Sequence, residues 1–204
     1  MKSAIIIERL GQSFETYGVR MSSRGDHDLN PDMQPGTELR HAAVLVPLVE
    51  REDGLTMMLT QRTDHLDHHP GQISFPGGHI EPEDGSPEEA ALREAEEEVG
   101  LDRKHVRIVG RLDQYITRTG FSVTPVVGIV DPVYTVNPDD FEVAEVFEVP
   151  LSFLLDASNH RRDSRIYKGL KREFYAMPYG DYYIWGATAG MIRNLYDVLV
   201  GEAE

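Results

Sequence analysis

Glu94, Glu97 and Glu98 stand at i, i+3 and i+4 within the run Arg93-Glu94-Ala95-Glu96-Glu97-Glu98-Val99-Gly100. On a helix that advances roughly 100° per residue, these three carboxylates fall within roughly 100° of one another on one face. Like charges at that spacing repel. The cluster becomes tolerable when divalent cations neutralise it, and carboxylate oxygens suit Mg²⁺ or Mn²⁺. The chemistry so implied is metal-assisted attack on a phosphate. A glutamate-rich helix is more often plain solvated surface. Here three further signals coincide with it: a Phe75-Pro76-Gly77-Gly78 turn upstream, a start signal and a terminal glycine.

The helix that must carry these groups is well punctuated. Ser86 is placed to cap it, Pro87 takes the first helical position, Glu89 completes a capping box and Gly100 ends it. Its expected apolar stripe is Leu92, Ala95 and Val99, centred roughly 140° around from the glutamates. One side can pack on a sheet while the other faces a cleft. Apolar runs predict strands at 42–49 and 55–61, joined as a hairpin, and at 106–116, 122–130 and 143–149. Residues 62–78 read as a long loop, with a short helix near Pro150 and further strands over 161–185. Helices are expected at 3–17, on Ile6, Leu10 and Phe14, and at 187–200. Residues 22–37 read as a polar linker. Strands and helices mix without strict βαβ alternation, which argues for a mixed sheet between helices.

Bulk properties narrow the function. The chain has 204 residues, of which 40% are hydrophobic, enough for one domain with a full core. Its formal charge is 20 − 35 = −15. That field disfavours long nucleic acids and anionic membrane surfaces as partners, while a small anionic substrate remains compatible if cations receive it. There is no cysteine, so thiol nucleophiles, disulfides and thiolate metal sites are excluded. The run Ala4-Ile5-Ile6-Ile7 is too short for the apolar region of a signal peptide, so a soluble cytoplasmic protein is expected. A homodimer is compatible with the sequence.

The segment 78–101 resembles the signature of the Nudix hydrolase family, G-x5-E-x7-R-E-U-x-E-E-x-G-U, where U is aliphatic. Arg93, Glu94, Ala95, Glu97, Glu98, Gly100 and Leu101 match position for position. Asp84 stands where the first glutamate is usual, and the loop from it to Arg93 is one residue longer. The resemblance implies an α/β/α sandwich with a mixed sheet, Mg²⁺ or Mn²⁺, and hydrolysis of a nucleoside diphosphate linked to another group. It further implies metal ligation by the Gly77 carbonyl, Glu94, Glu97 and Glu98, with Arg93 orienting the glutamates. Family members often bring in a distant loop glutamate, here Glu142, with Glu145 as the alternative. Glu94, Glu97, Arg93 and Glu142 are the candidates for catalysis, and spacing does not decide which glutamate is the base.

Residues 58–78 are similar to the extra motif of the coenzyme A pyrophosphatase branch, L-L-T-x-R-S-x-x-L-R-x-H-x-G-Q-V-x-F-P-G-G. Arg62, His69 and Gln72 fall on its polar positions and are implied substrate contacts. The resemblance covers residues 40–200, giving an N-terminal helix and linker over 1–39 and a Nudix domain over 40–204. It implies cleavage of coenzyme A or acyl-coenzyme A to 3′,5′-ADP and (acyl-)4′-phosphopantetheine. Asp67 stands where that branch has arginine. The alternatives are therefore another nucleoside diphosphate derivative (NADH, ADP-ribose or a sugar nucleotide) or a non-catalytic nucleotide-sensing module.

The segment 161–172 concentrates six basic residues. Two readings of it stand side by side. Arg161, Arg162 and Arg165 could contact the 3′-phosphate of coenzyme A, or they could guard the edge of a sheet. His65, His68 and His69 do not make a zinc site, since Pro70-Gly71 interrupts any helix; His69 is open to a phosphate contact or to loop packing. Trp185 is expected in the core rather than stacked on substrate.

Overall fold

The computed structural model describes residues 2–17, 23–34, 36, 38–66 and 69–201. In chain order the elements are α1 (Ser3–Tyr17), β1 (Ser23–Gly25), β2 (Arg40–Arg51), β3 (Gly54–Arg62), β4 (Ile73–Ser74), β5 (Gly77–His79), α2 (Pro87–Val99), β6 (Val106–Arg111), β7 (Gln114–Ile116), β8 (Phe121–Val130), β9 (Val143–Pro150), α3 (Leu151–Leu154), β10 (Arg161–Tyr167), β11 (Leu170–Tyr179), β12 (Tyr182–Trp185) and α4 (Ala187–Val200). The side chain of Phe14, together with Asp67 and His68, lies outside the described residues.

Strand β2 is the axis of the larger sheet. It runs parallel to β8, from Arg40 opposite Phe121 to Val49 opposite Val130, and antiparallel to β3 and β5. β9 flanks β3, and β6 and β7 pair in turn with β8. The sheet is therefore mixed. Both of its faces are covered, which is why its central strands read as nearly continuous apolar runs. Ala43, Leu45 and Val49 of β2 join Val126 and Val130 of β8 beneath α2. The alternate residues Ala42, Val46 and Leu48 join Met57, Leu59 and Val127 on the other face. There they meet Ile192, Leu195 and Leu199 of α4, Ile6 and Leu10 of α1, and Met177 and Ile184 of the second sheet, β10-β11-β12. Each fully buried Leu or Ile contributes about 1.5–3 kcal/mol. The result is the expected α/β/α arrangement.

Several expected features differ. The stretch 106–116 is two strands, because at Leu112 the chain leaves the ladder: Leu112 N–H bonds to Pro125 C=O, and Asp113 N–H to the side chain of Asn194. The loop expected over 62–78 contains β4 and β5. The linker expected over 22–37 contains β1, paired in parallel with β7. The buried stripe of α2 is Ala90, Ala91, Ala95 and Val99, while Leu92 is only half-buried. Alanines let the helix axis approach the sheet, and a leucine belongs at the flank of so close a contact. Trp185 is half-buried rather than core, with Phe174 beside it and the Arg165 guanidinium 4.3 Å over its ring. No helix among the described residues is long and apolar enough to cross a membrane.

Candidate active site

Helix α2 begins as its sequence specifies. Ser86 is extended (φ −161°) and its side chain accepts the Glu89 N–H. The reciprocal bond is displaced by one residue, since Glu89 accepts the N–H of Gly85 rather than that of Ser86. Gly100 takes the left-handed conformation (φ 68°) that closes the helix, and its N–H returns to Ala95 and Glu96 carbonyls. A side chain there would also strike Asn137, whose N–H holds the Val99 carbonyl at 2.8 Å. The helix is thus fixed at both ends, with its glutamate face toward β5.

The three glutamates are not equivalent. Glu98 is buried, its side chain 10% exposed, and accepts the Gly77 N–H at 3.0 Å. Burial pushes its carboxyl up to about 7 against the opposing effect of the Gly77 bond, and the charges of Glu94 and Glu142 add to the rise. Glu94 is half-buried and raised for the same first reason, with Arg93 pulling the other way. Its carboxylate lies over Gly78, where an added Cβ would come within 2.5 Å of it. Gly77 is equally constrained, since a Cβ there would meet the Ala43 carbonyl at 2.4 Å. Glycine is needed at both positions for close approach. Glu97 is mostly exposed and is held by Arg93 Nη1 at 3.0 Å.

Arg93 organises the group. Nη1 donates to Glu94 and Glu97, each at 3.0 Å, while Nη2 reaches the His79 carbonyl at 3.0 Å. Nε and Nη2 also grip Asp84. The His79 ring lies against Phe121, over which Arg40 stacks at 4.0 Å, so the 117–121 turn borders the site. Arg62 lies 3.8 Å from Glu98 and 4.0 Å from Glu142, between the two acids. Glu142 is thereby brought to the cluster. Glu145 instead takes the Tyr182 hydroxyl at 2.7 Å, away from it.

His69 and Gln72 bind each other, Nδ1 to Oε1 at 2.8 Å, and the Gln72 carbonyl accepts the Arg62 N–H at 2.9 Å. Arg161, Arg162 and Arg165 are not brought to α2. They lie on β10, where alternation sends Arg161 and Arg165 to one face and Arg162 to the other. Arg162 lies over Tyr175 and Arg165 over Trp185. Two hollows, of about 120 and 420 Å³, share no lining residue with the glutamates. The larger lies between Asp32, Met33, Arg118, Tyr167, Lys168 and Arg172.

The donor set fits a hard divalent cation. It is all oxygen, and buried Glu98 and half-buried Glu94 have less compensating positive charge than their burial demands. Among the described residues, no three acidic or histidine side chains converge tightly enough to hold an ion as they stand. Arg93 draws Glu94 and Glu97 toward itself. The Asp84–Arg93 contact is the part of the site that sequence reasoning missed. Its only signal was the acid displaced by the longer loop.

A mixed sheet between helices thus carries a glycine turn that feeds an arginine-organised glutamate helix. Residues 39–170 match the family model of the NUDIX domain, and the chain belongs to the Nudix family. It is a pyrophosphohydrolase acting on nucleoside diphosphate derivatives, in a family that works with divalent metal ions. The chain is similar to proteins described as uncharacterized Nudix hydrolase NudL. It is 45% identical over 156 residues to that of Enterobacter sp. (strain 638), covering 76% of this chain and 81% of the relative. It is 43% identical over 157 residues to that of Escherichia coli (strain K12), covering 76% and 81%. Among solved structures, DR0079 from Deinococcus radiodurans has a TM-score of 0.50 at 15% identity, covering 80% of this chain and 88% of that one. A MutT/nudix family protein from Enterococcus faecalis has 0.50 at 17%, covering 82% and 64%. These two likenesses speak for the fold.

Proposed function

We propose that the enzyme hydrolyses the diphosphate bond of coenzyme A or an acyl-coenzyme A, yielding 3′,5′-ADP and 4′-phosphopantetheine or its acyl form. The observation that carries this reading is the union of two motifs in one piece of structure. The segment that resembles the coenzyme A pyrophosphatase motif is closed on itself by the Arg62–Gln72 backbone bond. It then runs straight into Gly77, whose N–H meets Glu98. Arg62, at the head of that motif, stands between Glu98 and Glu142.

Glu94, Glu97 and Glu98, with the Gly77 carbonyl, would hold Mg²⁺ or Mn²⁺. Held there, such ions would supply neutralisation of the charge growing on the diphosphate and a more acidic water. The water oxygen forms the new P–O bond, the bridging oxygen leaves with the other half of the substrate, and a carboxylate of the Glu94, Glu97, Glu142 group takes the proton. Arg93 positions Glu94 and Glu97, and Arg62 offers positive charge to a phosphate. We read His69 and Gln72, which bond each other in that loop, as further substrate contacts. The lack of cysteine is in keeping with a cytoplasmic enzyme.

Asp67, where the branch has arginine, favours a second reading, in which the substrate is NADH, ADP-ribose or a sugar nucleotide. A purely sensing role is disfavoured by the complete Arg93, Glu94, Glu97 and Glu98 set. Turnover of coenzyme A, dephospho-coenzyme A, NADH and ADP-ribose with Mg²⁺ or Mn²⁺, with products identified by mass, tests the proposal. Preference for coenzyme A, with 3′,5′-ADP as product, is expected. Preference for NADH or ADP-ribose would replace it.

A further inference from the structure

The two edges of the β10-β11 hairpin are treated differently. Beyond the reach of β12, the outer edge of β11 is capped: the Glu173 N–H goes to Asn30 Oδ1 and its carbonyl accepts Asn30 Nδ2, both at 3.0 Å. Asn30 is buried and acts as a one-residue surrogate strand. Among the described residues, the edge of β10 has no such cover. All seven of its residues are exposed, Ile166 by 71%.

The same bonds fix which groups β10 presents. Glu173 lies opposite Ser164. Both of its backbone groups point away from β10, so this is a non-hydrogen-bonded pair, and such pairs alternate with bonded ones along an antiparallel ladder. The N–H and C=O of Ser164 therefore face the open edge, as do those of Arg162 and Ile166. Among the described residues, the Ser164 N–H finds only its neighbour, Asp163 Oδ1, at 3.1 Å.

The side chains of β10 read as a self-complementary sequence about Ser164: Arg161-Arg162-Asp163-Ser164-Arg165-Ile166-Tyr167. A second copy laid antiparallel across a two-fold axis at Ser164 puts Asp163 opposite Arg165, Arg165 opposite Asp163, Ser164 opposite itself and Arg161 opposite the Tyr167 ring. The outward Ser164 groups would then exchange two hydrogen bonds. Asp163 Oδ1 would give up the Ser164 N–H and gain an arginine, while Oδ2 keeps the Tyr183 hydroxyl at 2.8 Å. The flanking non-bonded positions are those where cross-strand side chains approach most closely. An edge rich in arginine normally repels another strand. Asp163, two positions from Arg165, turns that repulsion into complementarity in this one register.

We propose that the protein forms a two-fold dimer through β10, extending the three-stranded sheet to six strands. The interface is isologous, as a closed dimer requires. It rests on the hairpin alone and not on the substrate assignment.

Sedimentation over a concentration series tests it. The mass should rise from 23.0 kDa toward twice that value. D163R and R165D should each weaken the dimer at least about tenfold, because two like-charged pairs replace two opposite ones. The double variant D163R/R165D should recover most of that loss. Ser164→Pro removes an outward N–H that the hairpin itself does not use, and should abolish association. Circular dichroism melts identify any variant that fails to fold. For that case the cysteine-free chain offers a clean probe: S164C should crosslink to its copy under mild oxidation, its Cα pair being about 5.5 Å apart, whereas S152C should not. A wild type that stays monomeric, a dimer indifferent to S164P, or a double charge swap without recovery would overturn the proposal.

Discussion

Arg93 and Asp84 form a forked ion pair, Nε to Oδ1 at 3.1 Å and Nη2 to Oδ2 at 2.9 Å. Asp84 sits in the loop that is one residue longer than the family signature, at the position where the signature has glutamate. Its carboxyl is held below the usual range by Arg93 first and by the Glu81 N–H second. The longer loop thus returns its acid to the arginine that holds Glu94 and Glu97. Two edges of one guanidinium link the loop to the helix.

D84A should therefore lower kcat/KM about 10–100-fold, the usual cost of removing a group that acts through a ligand. Arg93→Lys should do no better, since an ammonium cannot grip Asp84 with two donors and Glu94 with a third. Steady-state kinetics beside thermal melts would check this. The melts should move little.

Glu98→Gln separates function from folding. The substitution keeps the acceptor for the Gly77 N–H but removes a charge that is costly to bury. In metal-free protein the melting temperature should hold or rise, while activity falls by more than about 100-fold, beyond the loss typical of supporting groups. Glu97→Gln should lose activity without the thermal gain, because Glu97 is already exposed.

The paired glycines should fail differently. At Gly78 the three atoms nearest an added methyl all belong to the Glu94 carboxylate, the end of a flexible side chain. G78A should displace that carboxylate and lose activity with a small change in stability. At Gly77 the methyl meets the backbone of Ala43 and Val44 in the central strand. G77A should cost about 1–3 kcal/mol of stability as well, the range for overpacking. Chemical denaturation of the two variants decides this.

Acid sensitivity should come from the opposite end of the sheet. Partial burial opposes ionisation of Glu148, but hydrogen bonds from Arg51, Thr56 and Tyr134 outweigh it and hold the carboxyl at about 2. The unfolded carboxyl titrates near 4.5. A depressed folded value contributes stability above the unfolded value and loses it as pH falls through the folded one. The window is therefore pH 4.5 down to 2. After allowance for partial exposure, the contribution is about 1–2 kcal/mol. Glu148→Gln should flatten stability against pH across that window in denaturant titrations.

What the sequence made legible was local and strongly punctuated. The α2 cap, its terminal glycine and the glutamate face follow from spacing alone, as do α1, α4 and the central strands. β1 was not legible. It is three residues long, polar, and exists because β7 lies beside it. The split between β6 and β7 depends on Asn194, 81 residues away from Asp113. In the site, the choice of Glu142 over Glu145 hinged on a tyrosine in β12 that no motif marks. The division of the β10 arginines between two faces needed only the strand period. The cluster looked unified because it was read as a segment rather than as a ladder.

Asn30 and the two buried isoleucine and leucine side chains of α1 have a consequence for how this chain can be trimmed. Residues before 39 fall outside the matched family segment, yet Ile6 and Leu10 are part of the core and Asn30 is what finishes β11. A shortened chain starting at residue 39 would keep Arg93 and the glutamates of α2 and still carry raw backbone along β11, an invitation to aggregate that residues 2–38 withhold.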